Sequence, residues 1–546
     1  MSESQEPPAA EPPVPLTRRQ AREREQAASA TEAKPVMPPA EEETRLLATV
    51  PADPQTELLA AAPASSYGSA FPSRTAERGG PPAPRGGVFG SIRKHPNAWL
   101  FSAVGTVFVL LAAGSVFAGM AVGSSAANAP APAPTGSLVP ARPVPAKIAA
   151  ATPLRTCSIG ALTSDPKLMP FQASVISATT GEVLLDRGGA KPSRTSSVLL
   201  TLTAAAALAV LGPDYQFSTK VYTGSIPGSV VLVGGGDPTL SALNAGQESV
   251  YRGAPKISDL ASQAQDRSPV PITDIVLDSS LWDPSDRWDP SWDRSQQSDG
   301  TQPEITALTV DGGRASPAEQ KSPRSSSSIA DVGAAFASDL GISGAERITV
   351  GTVPAGAAVL GEVKSQPVRA LVAYMISATD NTLGEYLARQ ISKVAGSDGS
   401  ASSLARVIPA ALSTYGLSTT GVVIRDGSGQ SGTNAVPATF VAQLMAKIAA
   451  GQQNLNIIYD ALPISGKTGT LASRFTGANA ATRGAVNAMA GATATENSLA
   501  GVIHATDGAT LSFAVYALGA SGSGTIPALD TVIRGLFTCG NNLSNN

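Results

Sequence analysis

From Leu100 to Val122 the chain carries no charged side chain and is dominated by Val, Leu, Phe and Ala. A run of about 20 such residues is long enough to cross a bilayer as a helix. A spanning helix would divide the sequence into two compartments, so this run constrains the whole organisation. Arg85, Arg93 and Lys94 precede it, and no Lys or Arg follows until Arg142. Basic residues stay on the cytoplasmic side of a spanning helix. The expected topology is therefore a cytoplasmic N-terminus and an extracytoplasmic remainder, with Trp99 at the interface. The run begins too far along the chain for an ordinary signal peptide. A buried core helix is the competing reading, and the charge asymmetry argues against it.

On this basis the sequence divides into four parts. Residues 1–94 are Pro-rich and polar with little apolar periodicity, the composition of a disordered tail. Within them Thr17 to Glu25 is densely charged and reads as a transient, solvated helix. Residues 95–123 form the expected transmembrane helix. Residues 124–154 are an Ala/Pro-rich linker, a semi-rigid spacer by composition. Residues 155–540 are the expected folded domain.

Several function classes fall away early. A net charge of −3 gives no electrostatic case for nucleic acid. Two cysteines (Cys157, Cys539) and two histidines (His95, His504) form no metal-ligand cluster, so no metal site is expected. The cysteines flank the folded domain, and an oxidising compartment favours a Cys157–Cys539 disulfide.

The domain opens with an alternating stretch, Ala173 to Ala178. A Thr179-Thr180-Gly181 turn and Glu182 to Asp186 complete a hairpin signal. Ser197 to Leu211 is Ala/Leu-rich and closed by Gly212-Pro213, a buried helix with a stop. Short Val-rich strands and Gly/Ser-rich turns fill about 218–365. Helices are expected near 368–394 and 437–450. Strands 498–504 and 510–518 follow, then a helix near 526–537. Helices between early and late strands imply a layered α/β domain.

Five segments carry a family resemblance. They are Leu211-Gly212-Pro213-Asp214-Tyr215, Gly234 to Leu240, Val310-Asp311-Gly312-Gly313-Arg314, Asp380-Asn381-Thr382-Leu383 and Asp426-Gly427-Ser428-Gly429. In this order the chain resembles the class C low-molecular-mass penicillin-binding proteins, which are D-Ala-D-Ala carboxypeptidase/endopeptidases. The resemblance implies a transpeptidase/β-lactamase-like α/β domain with β-rich inserts, here at about 220–365. It also implies serine chemistry without a cofactor, from three clusters. Ser-x-x-Lys supplies a nucleophile with its base one helical turn away. Ser-x-Asn assists proton transfer and holds the substrate amide. Lys-Thr-Gly on an edge strand clamps the substrate carboxylate beside the oxyanion hole.

The chain departs from this pattern. Counting back from Leu211-Gly212-Pro213 puts the nucleophile position at Ser197 and the base position at Leu200. Ser164-Asp165-Pro166-Lys167 and Ser91 to Lys94 fit the string, but one holds a proline against a helix interior and the other is on the expected cytoplasmic side. The second cluster reads Thr379-Asp380-Asn381, with a hydroxyl retained and Asn381 intact. For the third, Lys467-Thr468-Gly469-Thr470 is a perfect string. However, Gly469-Thr470-Leu471 with Arg474-Phe475 matches an upstream family element. Counting back from Ser498-Leu499-Ala500-Gly501 places the clamp at Met489-Ala490-Gly491-Ala492. Lys467 as the functional lysine remains the alternative.

Two of three clusters thus lose their working groups, and loss of the base costs a serine enzyme on the order of 10⁴–10⁶ in rate. A triad of Ser197, His504 and Asp507 is weighed and disfavoured, since His504 reads as a strand or surface residue. The Trp-containing run 281–293 reads as insert packing rather than a sugar site. The expected function is a catalytically impaired pseudoenzyme of the cell envelope, binding peptidoglycan or an envelope protein. An active serine carboxypeptidase/endopeptidase and a ligand-free structural scaffold are the alternatives.

Overall fold

The computed structural model describes residues 154–519 and 521–546. The tail, the apolar run at 95–123 and the linker up to residue 153 lie outside the described residues. Among those described, no helix is long and apolar enough to cross a membrane.

The chain enters through β1 (Phe171–Ser177) and β2 (Val183–Arg187), the hairpin expected from the alternating pattern. Helix α1 (Leu199–Val210) follows, led in by a single 3₁₀ turn at Ser196–Val198. Every residue of α1 from Leu199 to Leu208 is buried, as befits a helix apolar on all sides. The insert contributes β3 (Ser218–Thr223), β4 (Ser229–Val233), α2 (Ile257–Arg267), β5 (Asp274–Asp278), α3 (Ser328–Leu340), β6 (Ile348–Val350) and β7 (Val359–Lys364). Its sheet runs in the order β6-β5-β4-β3-β7. The pairs β4–β5 and β5–β6 are parallel. Parallel neighbours need long crossovers, normally helical, and α2 and α3 fall in these two connections. The insert is therefore mixed α/β rather than β-rich.

The chain then returns through α4 (Val368–Ala378), α5 (Asn381–Val394), α6 (Ala401–Ser413) and α7 (Ala438–Ala449). The single helix expected over 368–394 is broken in two. Thr379 takes a left-handed φ of 56°, and the Asp380 carboxylate caps α5 by accepting from Leu383 N. Finally β8 (Val486–Ala492), β9 (Asn497–His504), β10 (Thr510–Ala517) and α8 (Thr525–Cys539) complete the domain.

The second sheet has the order β8-β9-β10-β1-β2, all antiparallel. One face packs on α7, and α1, α4, α5 and α6 complete the largest apolar cluster on that side. The other face packs on α8.

Cys157 and Cys539 are joined in a disulfide across 382 positions of sequence. Order continues past 540, beyond the expected boundary. Cys157 N donates to Asn542 O, Ser544 N donates to Cys157 O, and Asn545 Oδ1 accepts from Asp186 N. These bonds hold the last residues on the sheet edge. Cys157→Ser should lower unfolding stability by about 2–5 kcal/mol, read as a fall in the denaturant midpoint. An unchanged midpoint would mean that the backbone bonds around Cys157 hold the two ends alone.

Candidate active site

Ser197 sits in the 3₁₀ turn that leads into α1, where the preceding residue, Ser196, has φ of 47°. A non-glycine residue in this region is strained. Two glycines permit it. A Cβ on Gly491 would lie 2.8 Å from both Ser196 Cβ and Ser197 N, and one on Gly429 would lie 2.1 Å from Ser196 O. The turn is thus wedged between β8 and the Asp426-Gly427-Ser428-Gly429 loop. Ser498 Oγ, opposite Gly491 on β9, donates to Thr195 O at 2.6 Å. The Ser197 hydroxyl makes no hydrogen bond among the described residues.

Leu200 and Met489 are both fully buried and belong to one apolar cluster. A Cβ on Gly384 would fall 2.5 Å from Leu200 Cδ2, so Leu200 lies flat on α5. Ala490 is half-buried and Ala492 exposed. Met489 and Gly491 share a strand face, since side chains alternate along β8. That face is turned toward α1.

Lys467 lies elsewhere. It is exposed in a turn, and its Nζ is 2.6 Å from where a Gly484 Cβ would be. Gly484 lies just before the start of β8 and Gly491 near its other end, roughly 20 Å apart at the usual ~3.3 Å rise per residue. Thr468 Oγ1 accepts from Ile464 N, which holds the turn. Arg474 pairs with Asp530 of α8 at 2.6 Å. The perfect string is thus part of a structural corner. His504 also stands at the far end of its strand, paired with Tyr459 OH at 2.9 Å, while Asp507 accepts from Ala509 N and Asn541 N. Ser197, His504 and Asp507 are not brought together.

Thr379 Oγ1 and Asn381 Oδ1 are buried without a partner, while Asn381 Nδ2 reaches Thr301 O at 3.4 Å. Between them Asp380 forms a buried ion pair with Arg314 at 2.9 Å and accepts from Tyr251 OH at 3.2 Å. Burial pushes the Asp380 carboxyl up, but Arg314 and Arg324 outweigh it and hold the group below the usual range. The sequence flagged Val310 to Arg314 and Asp380 separately. Their pairing needed the fold.

Further along α5, Glu385 Oε1 accepts from Gly427 N and Ser428 N at 2.7 and 2.8 Å. Burial, with Asp426 nearby, raises its carboxyl to about 8. Trp292 Nε1 donates to Asp426 Oδ2 at 2.8 Å, and Trp282 stands edge-on to Tyr386. The Trp-rich run therefore docks the insert onto α5 and the loop behind Ser197. Packing explains it.

Residues 156–338 and 321–527 match the D-Ala-D-Ala carboxypeptidase 3 (S13) family. The chain belongs to that family. It is 33% identical over 447 residues to Carboxypeptidase DacB of Mycolicibacterium smegmatis, covering 80% of this chain and 95% of that protein. A carboxypeptidase of Mycobacterium tuberculosis is 34% identical over 421 residues, covering 76% and 90%. The fold is that of penicillin binding protein 4 from Haemophilus influenzae, at 17% identity and a TM-score of 0.59 over 69% of this chain and 99% of that one. The S13 family relationship agrees with the resemblance read from the five sequence segments.

Two outcomes follow for this S13 domain. Arg314→Met strands Asp380 as an unpaired buried charge and should cost about 3–5 kcal/mol in denaturant unfolding. Glu385 titrates higher in the folded than in the unfolded chain. Its contribution is therefore full below the unfolded carboxyl range and is lost as pH rises toward about 8. Glu385→Gln should flatten stability against pH between about 5 and 8. An unchanged pH slope in thermal melts would reject this assignment.

Proposed function

We propose that this S13 family member is a membrane-anchored, extracytoplasmic binding protein for peptidoglycan peptides, with its hydrolytic chemistry lost. The observation that carries the reading is the joint burial of Leu200 and Met489 in one apolar cluster. In the family's pattern these positions supply the base and the carboxylate-binding cation. Here neither can take a proton from Ser197 or neutralise a substrate carboxylate. An isolated charge in such surroundings is strongly disfavoured, so loss of both charges together leaves a consistent core. The Gly491 backbone still meets the Ser197 turn, and Thr379 and Asn381 keep unpartnered polar oxygens, without the groups that drive acyl transfer.

The relatives are named carboxypeptidases, which supports a peptide of the cell wall as the ligand. The apolar run at 95–123 and the basic residues before it support the anchor and its orientation. The disulfide favours an oxidising compartment.

A fluorescent penicillin tests the reading directly, because it acylates a competent serine. The chain should label at least about 10⁴-fold more slowly than an active family member. Mass-spectrometric detection of stoichiometric acylation at Ser197 within minutes would overturn the pseudoenzyme reading in favour of an active carboxypeptidase. Retention of the chain on isolated peptidoglycan would separate ligand binding from a purely structural role.

A further inference from the structure

We infer that Arg194 is the anion receptor of the Ser197 cleft and selects ligands that present a peptide carboxylate. This rests on the proposal above that the cleft binds a peptide. A cleft without its clamp lysine must neutralise a ligand carboxylate in another way, and Lys467 is at the far end of β8.

Arg194 lies three residues before Ser197 and is held from two other directions. Its Nε is 3.1 Å from Glu496 Oε2, on the turn between β8 and β9. Burial pushes the Glu496 carboxyl up, and the neighbouring Arg194 opposes that shift. Its Nη1 is 3.7 Å from where a Gly432 Cβ would stand, at the end of the loop that also packs Gly429 against Ser196. The strand, the nucleophile-position turn and the glycine loop therefore meet at this guanidinium.

The chemistry of the pair is asymmetric. The Glu496 side chain is 3% exposed, whereas that of Arg194 is 40% exposed. The carboxylate faces the guanidinium on the Nε side as an ion-pair partner. Among the described residues no acceptor meets the two Nη groups. A guanidinium carries five donors in a rigid fork, and the unused pair of Nη groups suits a carboxylate in bidentate geometry. Gly432 offers no side chain to fill the space in front of Nη1. The hydroxyls of Thr195 and Ser196 beside it are buried without partners. Glu496 leaves the pair with no net charge, so binding is expected to be modest and to weaken with salt.

The test uses the full chain in nanodiscs and a fluorescein-labelled peptide ending in D-Ala-D-Ala, followed by anisotropy. The same peptide with a C-terminal amide is the comparison. The free acid should bind about tenfold or more tightly than the amide, the scale of a charged hydrogen bond. Arg194→Gln should bring the acid down to the level of the amide, with an unchanged circular-dichroism melt. Gly432→Leu, which places a side chain against Nη1 while leaving the arginine itself unaltered, should do the same. Equal binding of acid and amide to the unaltered chain, or an acid preference that survives Arg194→Gln, removes Arg194 from the role while leaving the cleft as a peptide receptor. Failure of both peptides to bind removes the peptide-receptor reading and the arginine's role with it.

Discussion

The backbone of β8 touches the Ser196–Ser197 turn at Gly491 with no room for a Cβ between them. Much of the site follows from this approach. It pins the register of the edge strand, since Gly491 faces Ser498 and the Ser498 hydroxyl bonds the carbonyl of Thr195. With the register fixed, alternation along the strand turns position 489 toward α1. Position 489 then enters the apolar cluster that also holds position 200. In this chain both are apolar and pack in one cluster. The left-handed turn at Ser196 is held from the other side by Gly429. The turn that carries Ser197 therefore keeps its form through backbone packing rather than through charge.

Legibility in the sequence follows the range of the interactions. The helix stop at Leu211-Gly212-Pro213 fixes where α1 ends, so Ser197 and Leu200 could be placed by counting. The β1–β2 hairpin and the pair β9 and β10 have the period-two pattern of strands, and they form as expected. The Cys157–Cys539 bridge was legible from the position of the two cysteines at the ends of the domain. Other features were hidden because they depend on distant partners. The break between α4 and α5 comes from the Asp380 cap and its bond to Arg314, which no local pattern contains. The helical crossovers of the insert follow from parallel pairing, which Val-rich strands alone do not specify. Lys467 shows the opposite hazard. Its local string is perfect, yet only the register against Ser498 to Gly501 says which end of the sheet a residue occupies.

Buried acids carry the seam between the insert and the helical half. Asp426 accepts from Trp292 of the insert and from Gly429, Ser431 and Asn434 of its own loop. Arg425 beside it pairs with Asp289 at 2.6 Å, and Arg389 of α5 pairs with Asp286. Asp237, in the Gly-rich segment after β4, is raised to about 6 by burial despite accepting from Thr239 N and Oγ1. Such groups are costly unless satisfied. They are concentrated where the insert must meet the helices in one orientation, and that orientation fixes the loop behind Ser197.

The disulfide gives the domain a mechanical property as well as a thermodynamic one. The chain is tied into the fold from Arg155 to Cys157, and Cys157 is covalently joined to the last turn of α8. Tension applied through the preceding segment cannot peel β1 away from the sheet one residue at a time. It is passed across the sulfur bridge to α8, which lies along the face of the sheet opposite Ser197. A load from outside the domain thus enters on the side away from the cleft, and the turn that shapes the cleft is shielded from it.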